Sequence, residues 1–361
     1  MDNNKLVIYK VIENFNINQN YFNNLFFKVW RNIYIRKIII GEKTFDDLIS
    51  FLIYPYRDYL TSVCINGIGR YNIPSDFLLP PLIKSLKFGD QWNKLILPRV
   101  LTNSSLTSIE FGNDFNQPLF PGSIPNTVNY LEFGKSFNQP IMPGVIPNSV
   151  TILKFGDNFN QPLPSNILPQ SIKTFKLGKF FNQPLEGGSI PLSVENYYYD
   201  SLQPISRYSF PCFIKYLEFG SDFNYPLKPG DIPQSVQVLK LSSSFNQPIE
   251  PNSIPTSVET LIFGVSFNQT IEPGSLPNNI KTVEFNKNYD KPIPQGTIPE
   301  SVTILRFGRR FSQSLSKSHI PNTVTSLFIE LWLFYLVNFT ILIINLNNKN
   351  NLNNIFYFIK K

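Results

Sequence analysis

The stretch Leu131-Glu132-Phe133-Gly134-Lys135-Ser136-Phe137-Asn138-Gln139-Pro140-Ile141-Met142-Pro143-Gly144-Val145-Ile146-Pro147-Asn148-Ser149-Val150 contains three short signatures that recur along the chain. Leu-x-Phe-Gly returns at Leu86–Gly89, Leu153–Gly156, Leu217–Gly220, Leu261–Gly264 and Leu305–Gly308. Phe-Asn-Gln-Pro returns at Phe115–Pro118, Phe159–Pro162, Phe181–Pro184 and Phe245–Pro248. Ile-Pro-x-Ser/Thr-Val returns at Ile124–Val128, Ile190–Val194, Ile232–Val236, Ile254–Val258, Ile298–Val302 and Ile320–Val324. The third position of the first signature falls at Phe88, Phe111, Phe133, Phe155, Leu177, Tyr199, Phe219, Leu241, Phe263, Phe285, Phe307 and Ile329. The first of these steps is 23 residues, Tyr199 to Phe219 is 20, and every other step is 22.

A fixed period of this length marks a stacked-repeat architecture. Leu and Phe two residues apart share one face of a strand. The glycine beside the Phe suits a turn or bulge where the chain leaves that strand. Two prolines per unit exclude a regular helix, so the return path is expected to be extended. A single unit of 22 residues offers a handful of apolar side chains worth ~2 kcal/mol each. Ordering it costs ~1.5 kcal/mol per residue. Neighbouring units must supply the missing burial. The expected fold is mainly β: a parallel β-solenoid of 22-residue, leucine-rich-repeat-like units with a short helical N-terminal segment.

The recurring Phe-Asn and Ile-Pro pairs, as at Phe137-Asn138 and Ile146-Pro147, resemble the FNIP-repeat family, whose repeat is related to leucine-rich repeats. The resemblance covers roughly residues 75–330 and implies a protein–protein interaction scaffold, with no catalytic residues to carry over. The chain departs from the pattern around 199–211. There Tyr199-Asp200-Ser201-Leu202-Gln203-Pro204 lacks the Phe-Asn pair, and Phe210-Pro211-Cys212 replaces Ile-Pro-x.

Composition points away from catalysis. The chain of 361 residues has one histidine, His319, and two cysteines, Cys64 and Cys212, far apart in sequence. A multi-histidine metal site, a cysteine zinc cluster and a disulfide scaffold are excluded. No cofactor is expected, and no acid/base constellation marks an enzyme. The formal charge of +7 is dispersed, with only +2 over residues 71–326. Nucleic-acid binding needs a concentrated basic stripe, so none is expected. The opening Met1-Asp2-Asn3-Asn4-Lys5 lacks the features of a secretory signal, and the expected location is cytoplasmic.

Two columns deserve residue-level expectations. Asn116, Asn138, Asn160, Asn182, Asn224, Asn246 and Asn268 recur once per unit and are read as a structural ladder whose side-chain amides satisfy backbone groups at a solenoid corner. The position between Leu and Phe points out of the sheet and varies: Lys87, Glu110, Glu132, Lys154, Lys176, Tyr198, Glu218, Lys240, Ile262, Glu284, Arg306. Lys154, Lys176, Tyr198, Glu218 and Lys240 are taken as a partner-binding face. Tyr198 has the aromatic character of interface anchors. The competing reading is a solvated face with cross-strand charge pairs such as Lys87–Glu110 and Glu284–Arg306.

Three regions follow: 1–60, a helical cap or F-box-like segment; 61–330, the solenoid; and 331–361, an apolar cap or membrane segment with an Asn-rich tail. Leu25-Phe26-Phe27-Lys28-Val29-Trp30-Arg31 resembles the end of an F-box. That resemblance implies a ubiquitin-ligase adaptor as partner and a substrate-recognition role; otherwise the partner is an unidentified protein. Leu331–Leu346 carries no charge but is shorter than a bilayer span of ~20 residues. A solenoid cap is the expectation there, and membrane association the alternative.

Overall fold

A computed structural model describes residues 43–331 and 340–345, apart from positions 53, 55–56, 67–72, 74–78, 102–104, 207 and 316–318. Its fifteen strands form one sheet in strict sequence order. They are β1 (Lys43–Phe45), β2 (Ser62–Ile65), β3 (Ser85–Phe88), β4 (Ser108–Glu110), β5 (Tyr130–Glu132), β6 (Ile152–Lys154), β7 (Thr174–Lys176), β8 (Asn196–Tyr199), β9 (Tyr216–Phe219), β10 (Val238–Lys240), β11 (Thr260–Ile262), β12 (Thr282–Glu284), β13 (Ile304–Phe307), β14 (Ser326–Leu331) and β15 (Thr340–Asn345). Strands β1 to β14 pair in parallel, and the Leu position of each coil faces that of the next, as in Leu131↔Leu153 and Leu239↔Leu261. The fold is the expected parallel β-solenoid.

The sheet begins earlier than the 61–330 boundary. β1 lies inside the segment read as helical, because Lys43-Thr44-Phe45 alternates and Phe45 turns into the core. Phe45 meets the rings of Phe51 and Tyr54, each at 5.3 Å. Helix here is limited, among the described residues, to α1 (Leu48–Leu52) and one 3-10 turn at Arg57–Tyr59. Asp47 caps α1: its Oδ1 accepts from the Ser50 amide at 2.7 Å. Leu25–Arg31 lies outside the described residues, as does the tail beyond Asn345.

At the other end, β15 pairs antiparallel with β14, from Leu331↔Thr340 to Ser326↔Asn345. The second half of the apolar Leu331–Leu346 stretch is thus a strand of the same sheet. No described helix is long and apolar enough to cross a membrane.

Inside the coils, Leu131, Phe133 and Phe137 and their equivalents are buried. The Phe rings stack from coil to coil in two files. Phe111–Phe133 and Phe133–Phe155 lie at 5.3 and 5.5 Å, and Phe115–Phe137 and Phe137–Phe159 at 5.9 and 6.2 Å. The files touch within a coil, as at Phe133–Phe137, 4.0 Å. Each buried ring contributes ~2 kcal/mol of transfer free energy, and each aromatic pair ~1 kcal/mol more. Where β7 carries Phe175 in the Leu position, Leu177 takes the Phe position, so the volume within the coil is conserved.

The return path is built from tight turns. Met142 O accepts from the Val145 amide at 3.1 Å around Pro143 and Gly144, whose φ is +79°. This is a type II turn, with proline and a positive-φ residue at its two central positions. The glycine ending Leu-x-Phe-Gly opens the expected turn, Gly134 O accepting from the Phe137 amide at 3.3 Å, and has a second role besides. A Cβ on Gly134 would sit 1.9 Å from Gly112 O. Glycine is needed there because adjacent coils approach backbone to backbone.

Candidate functional site

Short strands with a buried middle residue leave two positions per coil on the outer face, as in Tyr130-Leu131-Glu132. The register aligns the second of these as Glu132↔Lys154↔Lys176↔Tyr198↔Glu218↔Lys240. Lys154, Lys176, Tyr198, Glu218 and Lys240 all line one groove of about 480 Å³ across β6–β10. Glu132, Asp200, Ser221 and Ser243 complete its walls.

The charges in this groove are organised in pairs. Lys154 Nζ donates to Glu132 Oε2 at 3.1 Å and to the Tyr130 hydroxyl at 2.9 Å, and Tyr130 in turn donates to Glu132. Burial pushes Glu132 up and Lys154 down, but their mutual hydrogen bonds and those with Tyr130 outweigh it. The Glu132 carboxyl is held below its ordinary value and the Lys154 ammonium above its own. Burial, then the bond to Glu132, pushes the Tyr130 hydroxyl up. The same arrangement recurs at Tyr216, Glu218 and Lys240, where Lys240 Nζ reaches Glu218 Oε1 at 2.8 Å and Tyr216 donates to Glu218 Oε2. Between these trios, Lys176 pairs with Asp200 at 3.2 Å, and the Tyr198 ring lies 5.6 Å from that of Tyr216. The groove therefore presents aromatic surface framed by balanced, fixed charges.

The pairs expected from sequence are present too: Lys87–Glu110 at 3.4 Å and Arg306–Glu284 at 3.3 Å. Arg306 also sits 4.5 Å over the Phe328 ring, beside a smaller hollow of about 280 Å³ that includes Ile262.

One wall residue, Asp200, and two tyrosines bonded to wall residues escaped the sequence reading. Tyr130 and Tyr216 were signalled by the identical stretches Tyr130–Gly134 and Tyr216–Gly220, each with a lysine 22 residues after its glutamate, Lys154 or Lys240. Asp200 occupies the glycine position of its coil, where no carboxylate is foreshadowed. An apolar ridge at the turn corner was also missed: Leu97, Phe120 and Met142 precede the proline of successive turns and are exposed, Met142 at 56%.

The Asn side chains bond from each coil to the next. Asn116 Oδ1 accepts from the Asn138 amide at 2.8 Å, and Asn138 Oδ1 from Asn160 at 2.9 Å. Asn160 Oδ1 accepts from Asn182 at 2.8 Å, Asn224 from Asn246 at 2.9 Å, and Asn246 from Asn268 at 2.9 Å. The following Gln adds a second donor, as Gln139 Nε2 does to Asn116 Oδ1 at 3.1 Å. The Ser/Thr of the third signature forms a parallel ladder: Ser149 Oγ donates to Val128 O at 2.6 Å and Ser171 Oγ to Val150 O at 2.7 Å.

The FNIP repeat family model matches residues 92–136, 137–180, 199–244, 245–288 and 289–331, more than half of the chain. The chain belongs to the FNIP repeat family. A FNIP repeat-containing protein of Dictyostelium discoideum is 32% identical over 173 residues, 36% of this chain and 32% of that protein. The crystal structure of CroV588, described as a novel circular LRR protein, superposes with a TM-score of 0.64 at 31% identity, covering 78% of this chain and 45% of that one. The chain thus spans less than half the length of either relative. Between the second and third matched FNIP segments, residues 181–198 are skipped, immediately before the irregular coil.

Proposed function

We propose that this FNIP-repeat solenoid is a non-enzymatic scaffold that binds another protein through the outer face of its sheet, centred on Tyr198. The reading rests chiefly on one observation: six successive residues of the variable column, Glu132 to Lys240, line one groove that includes the Glu and Lys of two Tyr–Glu–Lys trios. Tyr198 offers rigid aromatic area in this groove, with the Tyr216 ring 5.6 Å away, and the fixed charges around it favour specificity over raw affinity. The solenoid architecture of the CroV588 structure supports the same reading. The experiment is site-specific photo-crosslinking in cells, with a benzophenone side chain at position 198 or, as control, at position 142 on the turn corner. A discrete protein adduct at 198, absent at 142, is the expected result. Adducts at 142 alone would move the binding surface to the apolar ridge.

Leu25–Arg31 favours a second reading, a ubiquitin-ligase substrate receptor whose adaptor docks at the N-terminal segment. Adaptor recovery by the full chain and by a chain lacking residues 1–42 separates the two. Equal recovery removes the second.

A further inference from the structure

Three columns tie each regular coil to the next: the Asn side chain, the Ser/Thr hydroxyl and the Phe ring. All three lapse together in the coil that follows β8. Gln203 and Pro204 stand where neighbouring coils have Phe181-Asn182 and Phe223-Asn224, so the Asn ladder and the outer Phe file are both interrupted. Phe213 stands where Ser193 and Ser235 stand; Ser193 Oγ reaches Ile172 O at 2.8 Å and Ser235 Oγ reaches Ile214 O at 2.7 Å. Phe213 makes no such bond and is 61% exposed. Tyr199 and Phe210 fill the space of the missing ring edge-on, at 5.1 Å and 70°, in place of stacking.

Ion pairs cross where the ladders stop. Lys176 reaches Asp200, and Glu195 lies between Lys173 at 2.9 Å and Lys215 at 3.6 Å. Lys179 Nζ reaches Asp222 Oδ2, spanning from the coil of β7 to that of β9 over the shortened one. In a stacked-repeat protein, stability is close to a sum of unit and interface contributions, so one weak interface divides the cooperative unit.

We propose that the coil of β8 is a seam dividing the solenoid into two blocks, β3–β7 and β9–β14, that open independently and are clasped across it by these salt-sensitive pairs. The groove has Lys154 and Lys176 on one block and Glu218 and Lys240 on the other, so its width follows the seam.

Hydrogen exchange of the full chain, followed by mass spectrometry in low and 1 M salt, tests this. Amides of residues 196–222 should exchange at least tenfold faster than those of β5, β6, β11 and β12. Salt should accelerate that region selectively, since exposed pairs are screened. Asp222→Asn should remove most of the salt effect, whereas Glu284→Gln, at the regular β12–β13 step, should not. Phe137→Leu should loosen β4–β7 and leave β10–β13 within twofold; Phe267→Leu should do the reverse. Phe213→Ser, which restores the hydroxyl donor at an exposed site, should slow exchange at 196–222 at least threefold. Equal loosening of both blocks by either core variant, or no slowing in Phe213→Ser, would overturn the seam.

Discussion

Asn160→Ala isolates what one rung of the Asn ladder contributes. Asn160 Oδ1 accepts two hydrogen bonds, from the Asn182 amide at 2.8 Å and from Gln183 Nε2 at 3.2 Å. Its own amide is held by Asn138 and is untouched by the change. The column is half-buried to exposed, so water can partly replace the lost acceptor. The backbone bond then costs ~1 kcal/mol and the side-chain bond a few tenths, for a destabilisation of about 1–2 kcal/mol. With a urea slope of about 1–3 kcal/mol/M, the unfolding midpoint should fall by roughly 0.5–1 M. The chain contains its own control. At the next position of the column after Asn268, Asp290 accepts from the Ser312 amide at 2.9 Å and from Gln313 Nε2 at 2.9 Å. Asn160→Asp should therefore lie within about 0.5 kcal/mol of the parent, since the acceptor is kept. Equal damage from Ala and Asp would show that the amide nitrogen, and not the carbonyl oxygen, carries the rung. An unchanged midpoint in Asn160→Ala would dismiss the ladder as a stabilising element.

Gly134→Ala should destabilise by about 3 kcal/mol or more, because its Cβ would overlap the Gly112 backbone at 1.9 Å. Gly230→Ala, with open space around it and φ at +89°, should cost only about 1–2 kcal/mol; urea midpoints rank the two. Ser171→Ala removes the donor to Val150 O and should cost about 1 kcal/mol, read by the same titration. Lys176→Glu sets a carboxylate beside Asp200, whose side chain is only 17% exposed, and should destabilise more than Lys176→Gln does. Because the Glu132 carboxyl is held below its ordinary value of 4.5, its contribution is complete above that pH and fades as pH falls through the depressed value. Glu132→Gln should accordingly lower the midpoint at pH 7 and have a smaller effect near pH 3.

The period made the sheet legible before any coordinates. Leu-x-Phe fixed which side chains turn inward, and a constant step fixed a one-to-one register, so the cross-strand pairs at Lys87–Glu110 and Glu284–Arg306 followed. Elements outside the period were harder. β1 is three residues long and takes its place through Phe45 packing on α1, a tertiary effect that local pattern does not encode. The outward column was legible by alternation alone, but its wiring was not. Asp200 joins Lys176 because the irregular coil carries an acid where most others carry glycine, and no spacing rule foretells that. The turn at Gly134 was legible, but its second role was hidden, since that depends on how close the preceding coil lies.

A stack of parallel coils has no intrinsic reason to stop: its last strand offers a row of unpaired amides and carbonyls to which another molecule's first coil could add, and then another. Strand β15 reverses direction on exactly that row, from Leu331↔Thr340 to Ser326↔Asn345. An incoming coil would meet an antiparallel edge with the wrong hydrogen-bond spacing for the β13–β14 pattern. Among the described residues, the reversal thus covers the parallel edge of β14. Removing residues 332–361 would lay that edge open to a further parallel strand.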